Sequence, residues 1–170
     1  IGSNARAKDY ESALQWLIAA GVVIKCNKVT EGNLPLKIYE DALSFKMYYS
    51  DVGLLSMKSE FPAENIVHNL KISDKMRGIL AENYVAAELS AKGITPYYWA
   101  STNKAEVDFV IQTGGNAIPV EVKSADNVRA KSLKVYVDKY KPEFSFRFSA
   151  KNFGFDNGIK SVPLYGVFAV

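Results

Sequence analysis

Between Ala105 and Ser124 the hydrophobic and polar positions alternate with a period of two. Val107, Phe109 and Ile111 alternate with Glu106 and Asp108, and Val120 and Val122 alternate with Glu121 and Lys123. That period predicts two strands, each with an apolar and a charged face, and Thr113-Gly114-Gly115-Asn116 supplies the reversal between them. Because side chains alternate across a sheet, pairing these strands can put Asp108, Glu121 and Lys123 on one face. Two carboxylates and an ammonium are the minimum set for holding a hard divalent cation beside a water or a phosphate.

Upstream, Leu14, Leu17 and Ile18 fall at helical spacing over residues 10–20, with Asp9 as a cap and Gly21 as the stop. Val22 to Val29 predicts a strand and 30–35 a loop. A second strand over 42–49 sets Phe45, Met47 and Tyr49 against Lys46 and Tyr48. Helix, strand, loop, strand fits the tail of a winged-helix unit, and equally a generic small α+β subdomain. Asp51 to Leu55 closes this piece as a last turn. Residues 56–75 carry weak periodicity and predict a linker with one short helical turn.

The next helix, over 76–92, aligns Gly78, Glu82, Val85, Ala86 and Leu89 on one stripe, while Glu88 points elsewhere. Glu82 then has two readings. Facing inward, it needs a metal, a lysine or a backbone donor to offset its burial; at the helix rim, it reaches water. Gly93 ends the helix, and 94–100 predicts a strand. Over 128–140 Leu133, Tyr136, Val137 and Tyr140 define an amphipathic helix whose other faces carry Arg129, Lys131, Lys134 and Lys139. Phe144, Phe146 and Phe148 alternate in a further strand, and 162–170 predicts a last one. Pro163 places that strand at an edge or starts it later.

Composition narrows the class. A chain of 170 residues with 48% apolar content can bury a real core. A net charge of +3 does not by itself announce a nucleic-acid binder, so such a reading rests on where the charges sit. Cys26 is the only cysteine, which excludes an internal disulfide and a multi-cysteine zinc site and makes a reducing, cytoplasmic setting the default. It reads as a buried strand residue, and the single histidine, His68, as a solvated or hydrogen-bonded one. No apolar run reaches the length of a membrane span, so no membrane partner is expected. The start at Ile1 and the apolar end at Val170 lead to the expectation of a fragment, divided into a subdomain over 1–55, a linker over 56–75 and a domain over 76–170.

From residue 76 the order is helix, strand, strand, strand, helix, strand. The elements Gly78-x-Leu80-x-Glu82-x-x-Val85-x-x-Glu88-Leu89, Glu106-Val107-Asp108-Phe109 and Val120-Glu121-Val122-Lys123-Ser124 resemble the PD-(D/E)XK nuclease-like fold. More closely, they resemble the C-terminal domain of unknown function of AAA+-type ATPases of bacteria and archaea. Residues 5–17 and 48–55 are similar to the winged-helix-like region between the ATPase and nuclease-like parts of that family. The resemblance implies an α/β fold, a nuclease-like mixed sheet flanked by helices and preceded by a partial winged-helix-like subdomain. It also implies that Glu82, Asp108 and Glu121 bind Mg²⁺ or Mn²⁺ and that Lys123 orients or activates the attacking water. Glu106 is either a further ligand or an exposed strand carboxylate. The resemblance also implies an ATPase upstream; nothing in the chain itself matches G-x-x-x-x-G-K-[ST], so ATP would enter only through that part.

Two functional readings follow. In the first, the chain is a metal-dependent nuclease module under ATPase control, with Arg129, Lys131, Lys134 and Lys139 contacting DNA phosphates. In the second, it is a non-catalytic DNA- or protein-binding regulatory module of the ATPase, and Lys123 neutralises Glu121 and Asp108 in a structural network. A winged-helix contribution to DNA binding, flanked by Arg6 and Lys8, is a third and weaker idea.

Overall fold

The computed structural model describes residues 7–62, 64–65, 68, 72–102, 105–124 and 131–170. Helix α1 (Ala7–Ala19) carries the expected apolar spacing, and Gly21, at φ 69°, lets the chain reverse out of it. Asp9 lies inside this helix instead of capping it. Strand β1 (Val23–Val29) pairs antiparallel with β2 (Glu40–Tyr49), with an irregularity between Asn27 and Lys28. A 3-10 turn at Leu36–Tyr39 connects them and sinks Leu36 into the core. The closing turn expected at Asp51 is a full helix, α2 (Val52–Lys58). Asp51 starts it by accepting the backbone N–H groups of Gly53 and Leu54, at 2.7 and 3.1 Å.

Helix α3 (Asp74–Ala91) begins at Ser73, whose hydroxyl accepts the Met76 N–H at 3.2 Å. It buries Ala81, Val85, Ala86 and Leu89, close to the predicted stripe, and Gly93 ends it at φ 74°. Strand β3 (Tyr97–Ala100) starts only after Pro96, which cannot donate to a ladder. Strands β4 (Glu106–Thr113) and β5 (Asn116–Lys123) form the predicted hairpin, with Thr113 opposite Asn116. Gly114 and Gly115 both take positive φ, 55° and 77°, as the favoured two-residue hairpin turns require. Helix α4 (Lys131–Tyr140) leads to β6 (Ser145–Ser149), which lies parallel to β5.

The C-terminal end differs from expectation. No strand runs over 162–170: β7 (Gly154–Asp156) and β8 (Ile159–Pro163) form a short hairpin, and residues Leu164–Ala169 coil into a 3-10 helix. Pro163 ends the ladder, and Gly166 then packs so closely that a Cβ there would meet a Val162 methyl at 3.0 Å. The edge strand is β7, with β8 inside it.

The eight strands of the described residues belong to one sheet, in the order β2-β1-β3-β4-β5-β6-β8-β7. The result is a mixed α/β architecture with helices against both faces. On the α3 side, Val85 and Leu89 pack with Cys26, Tyr48, Phe109, Ile111, Val120, Val122, Phe146 and Phe148. On the α4 side, Leu133 and Tyr136 pack with Val29, Leu36, Trp99, Val107 and Val110. The sheet crosses the division expected at 56–75 without a break, because β1 pairs in parallel with β3. Cys26 and Tyr48 from the first segment therefore share a core with α3.

Candidate carboxylate and lysine site

Asp108 is placed by a bulge. Tyr97 faces Val110 while Trp99 faces Val107, so β4 carries one more residue than β3 across Asp108 and Phe109. The carboxylate Oδ2 accepts the Val122 N–H at 2.8 Å, which fastens β4 to β5 beyond their last paired residues, Phe109 and Val120. Burial is the main force pushing the Asp108 pKa up to about 7, and the negative charge of Glu121 adds to it. The Val122 hydrogen bond and the Lys123 charge pull the other way, and Glu82 contributes a smaller upward push.

Glu121 is almost fully buried, at 4% exposure. Its strand neighbours Val120 and Val122 sit in the α3-side core, so alternation turns Glu121 and Lys123 toward the α4 side. Oε1 of Glu121 is ion-paired with Lys123 Nζ, two residues along the same strand. Oε2 is buried without a hydrogen-bond partner. Opposite Glu121 on β6 stands Arg147, whose Nε is likewise buried and unpartnered.

Glu82 has a different set of partners. Its Oε1 accepts from the Tyr48 hydroxyl and, at 3.2 Å, from Lys46 Nζ. Lys46 also pairs with Glu106 Oε1 at 2.6 Å and lies 5.1 Å from the centre of the Tyr98 ring. Burial works to lower the Lys46 pKa, but the hydrogen bonds and charges of Glu106 and Glu82 outweigh it and hold the ammonium firmly protonated. Burial and the charge of Glu82 both push the Tyr48 hydroxyl up, so it remains a donor. Of the partners weighed for Glu82, the structure supplies a lysine. Glu106, weighed as a ligand or an exposed carboxylate, is half exposed and paired with that same lysine.

The structure therefore brings Glu121 to Lys123 and puts Asp108 within reach of the charges of both Glu121 and Glu82, while Glu82 itself is tied to β2 by Tyr48 and Lys46. Among the described residues, no three His, Cys, Asp or Glu side chains are gathered so as to hold a metal ion. Of the basic residues, Lys131 and Lys134 are exposed on α4. Lys139 reaches Glu31 at 3.6 Å and the Tyr140 ring at 4.7 Å. Arg129 lies outside the described residues, as does Arg6.

Sequence reasoning missed Lys46 and Tyr48, although they stand two apart on the polar side of the β2 alternation. It also missed Asn83. That buried side chain accepts the Tyr49 N–H at 2.8 Å and donates to the Tyr49 carbonyl at 2.9 Å, filling the hydrogen bonds of an edge strand. The available signal was an amide beside Glu82 in a helix otherwise packed by small and aliphatic residues.

Fold and site together define a mixed α/β domain with a carboxylate pair and a lysine at the mouth of a central hairpin. A family model described as a domain of unknown function (DUF4143) matches residues 77–167, more than half the chain, and the chain belongs to that family. A second model, also a domain of unknown function (DUF8612), matches residues 1–65. No curated protein and no solved structure matches the chain. Among the described residues, no helix is long and apolar enough to cross a membrane.

Proposed function

We propose that the chain is the C-terminal part of an AAA+-type ATPase and carries a nuclease-like module that acts on DNA phosphodiesters with Mg²⁺ or Mn²⁺. The carrying observation is Glu121: a buried carboxylate with one oxygen unpartnered, beside a second carboxylate whose pKa burial and the Glu121 charge together raise. Such a pair favours a cation, and Mg²⁺ is commonly held through only one or two protein carboxylates. Asp108 and Glu121 fit that role; Glu82, already engaged, does not. When bound, a divalent cation there polarises a phosphoryl oxygen and makes a water easier to deprotonate. The helix-strand-strand-strand-helix-strand order from α3 to β6 also supports the reading.

In this site Asp108 fixes the spacing of β4 and β5 through Val122, and Glu121 presents its free oxygen from a rigid central strand. Lys123 neutralises the other oxygen of Glu121 and brings a positive charge to where a phosphate would approach. Lys131 and Lys134, on the helix that covers the same side of the sheet, add salt-sensitive attraction for a phosphate backbone. The test is incubation of the chain, alone and with its ATPase part, with single- and double-stranded DNA and Mn²⁺. Cleavage is expected to fall by on the order of a hundredfold in Glu121→Ala, at least what loss of a metal's outer-shell partner costs. Cleavage untouched by that substitution would remove the mechanism.

A second reading is a non-catalytic DNA- or protein-binding regulatory module of the ATPase. Its support is the engagement of Glu82 by Tyr48 and Lys46 and of Glu121 by Lys123. On this reading DNA is bound equally with and without divalent ions, and Glu121→Ala changes stability alone.

A further inference from the structure

On the α3 side of the sheet Glu82 and Glu106 have one cation between them. Lys46 Nζ lies 3.2 Å from Glu82 Oε1 and 2.6 Å from Glu106 Oε1. The Tyr48 hydroxyl donates to the same Glu82 oxygen, and the Tyr98 ring flanks the ammonium. The Lys46 and Glu82 side chains are only a quarter to a third exposed. A divalent cation bridging two carboxylates would need the same oxygens that Lys46 occupies. The fixed ammonium comes with the chain and need not be recruited from solution.

We propose that Lys46 is a built-in cation that takes the place of a divalent ion between Glu82 and Glu106, confining ion binding in this protein to Asp108 and Glu121. Lys46 thereby sets the number of ions the domain accepts. It also accounts for the departure of Glu82 from the ligand role that the sequence resemblance implies. The placement rests on the reading of Asp108 and Glu121 as the ion-binding pair, and the two ideas fail separately.

Mn²⁺ titration of the whole chain, followed by the electron paramagnetic resonance signal of the free ion, tests both. In the wild type, Glu82→Gln is expected to leave Mn²⁺ affinity within twofold, whereas Glu121→Gln weakens it at least tenfold. Lys46→Met is expected to add a second equivalent of bound Mn²⁺, and Lys46→Met combined with Glu82→Gln to abolish that gain. A folded Lys46→Met protein with wild-type stoichiometry would overturn the proposal. So would a tenfold loss of affinity in Glu82→Gln alone, a measurement that decides the matter even where Lys46→Met does not fold. An unaltered affinity in Glu121→Gln strikes the Asp108 and Glu121 reading instead, while the comparison of Lys46→Met with its double variant still judges Lys46.

Discussion

Glu82 and Glu121, on opposite sides of the sheet, are held to different standards. On the α3 side Glu82 has a hydroxyl and an ammonium, and Glu106 shares that ammonium. On the α4 side Glu121 keeps one oxygen buried and unpartnered, next to an aspartate that carries its charge at a cost. Buried polar groups are nearly always satisfied, because an unmatched one bears the full cost of desolvation with no hydrogen bond to offset it. A satisfied group reads as architecture. An unsatisfied one, in the middle of a central strand, is the observation on which the proposed ion site stands.

That contrast can be broken most sharply through pH. Asp108 titrates near 7 in the folded chain, against 3.8 for an ordinary aspartate, so the folded state holds its proton where the unfolded state has released it. The stability this proton confers is complete below about pH 4 and is lost as pH rises through 7, a change on the order of a few kcal/mol. Urea unfolding from pH 4 to 8 is expected to show that decline in the wild type and to lose it in Asp108→Asn. An identical slope in the two proteins would mean that neither burial nor the charge of Glu121 raises the Asp108 pKa.

A smaller effect probes the satisfied side. Tyr48→Phe deletes the hydroxyl that Glu82 accepts, and a net loss of about 1–2 kcal/mol is expected in urea, with Mn²⁺ affinity unchanged. A stability equal to wild type would show that Lys46 alone suffices for Glu82. The smallest effect belongs to Lys139→Ala. Its exposed pair with Glu31 spans 3.6 Å, and its removal is expected to shift stability by less than about 0.5 kcal/mol. A larger loss would point to its contact with the Tyr140 ring.

How much of this was legible in the sequence depended on whether the deciding interaction was local. The hairpin from Glu106 to Lys123 was visible because alternation and a pair of glycines report on neighbours in the chain. The α3 stripe and its ending at Gly93 were visible for the same reason. The bulge at Asp108 was not, since a single extra residue is defined only against β3. Nor was the capture of Glu82, whose partners lie 34 and 36 residues away on β2. Strict alternation offered Asp108, Glu121 and Lys123 as one face, but Val120 and Val122 claim the α3 side and turn Glu121 and Lys123 away from Glu82, while Val107 on the α4 side leaves Asp108 toward the side of Glu82. At the C-terminus the apolar run over 162–170 looked like a strand, but Pro163 withholds a donor and the chain coils after it.

The parallel pairing of β1 with β3 bears on what counts as a unit of this protein. Family models divide the chain into a piece ending at residue 65 and a piece beginning at residue 77. The hydrogen bonds from Asn27 to Val29 against Tyr97 to Trp99 run straight across that division. A chain cut there would leave β3 as a raw edge beside Trp99 and strip Cys26 and Tyr48 from the core, inviting strand-to-strand aggregation. Two stretches matched by separate family models fold as one sheet.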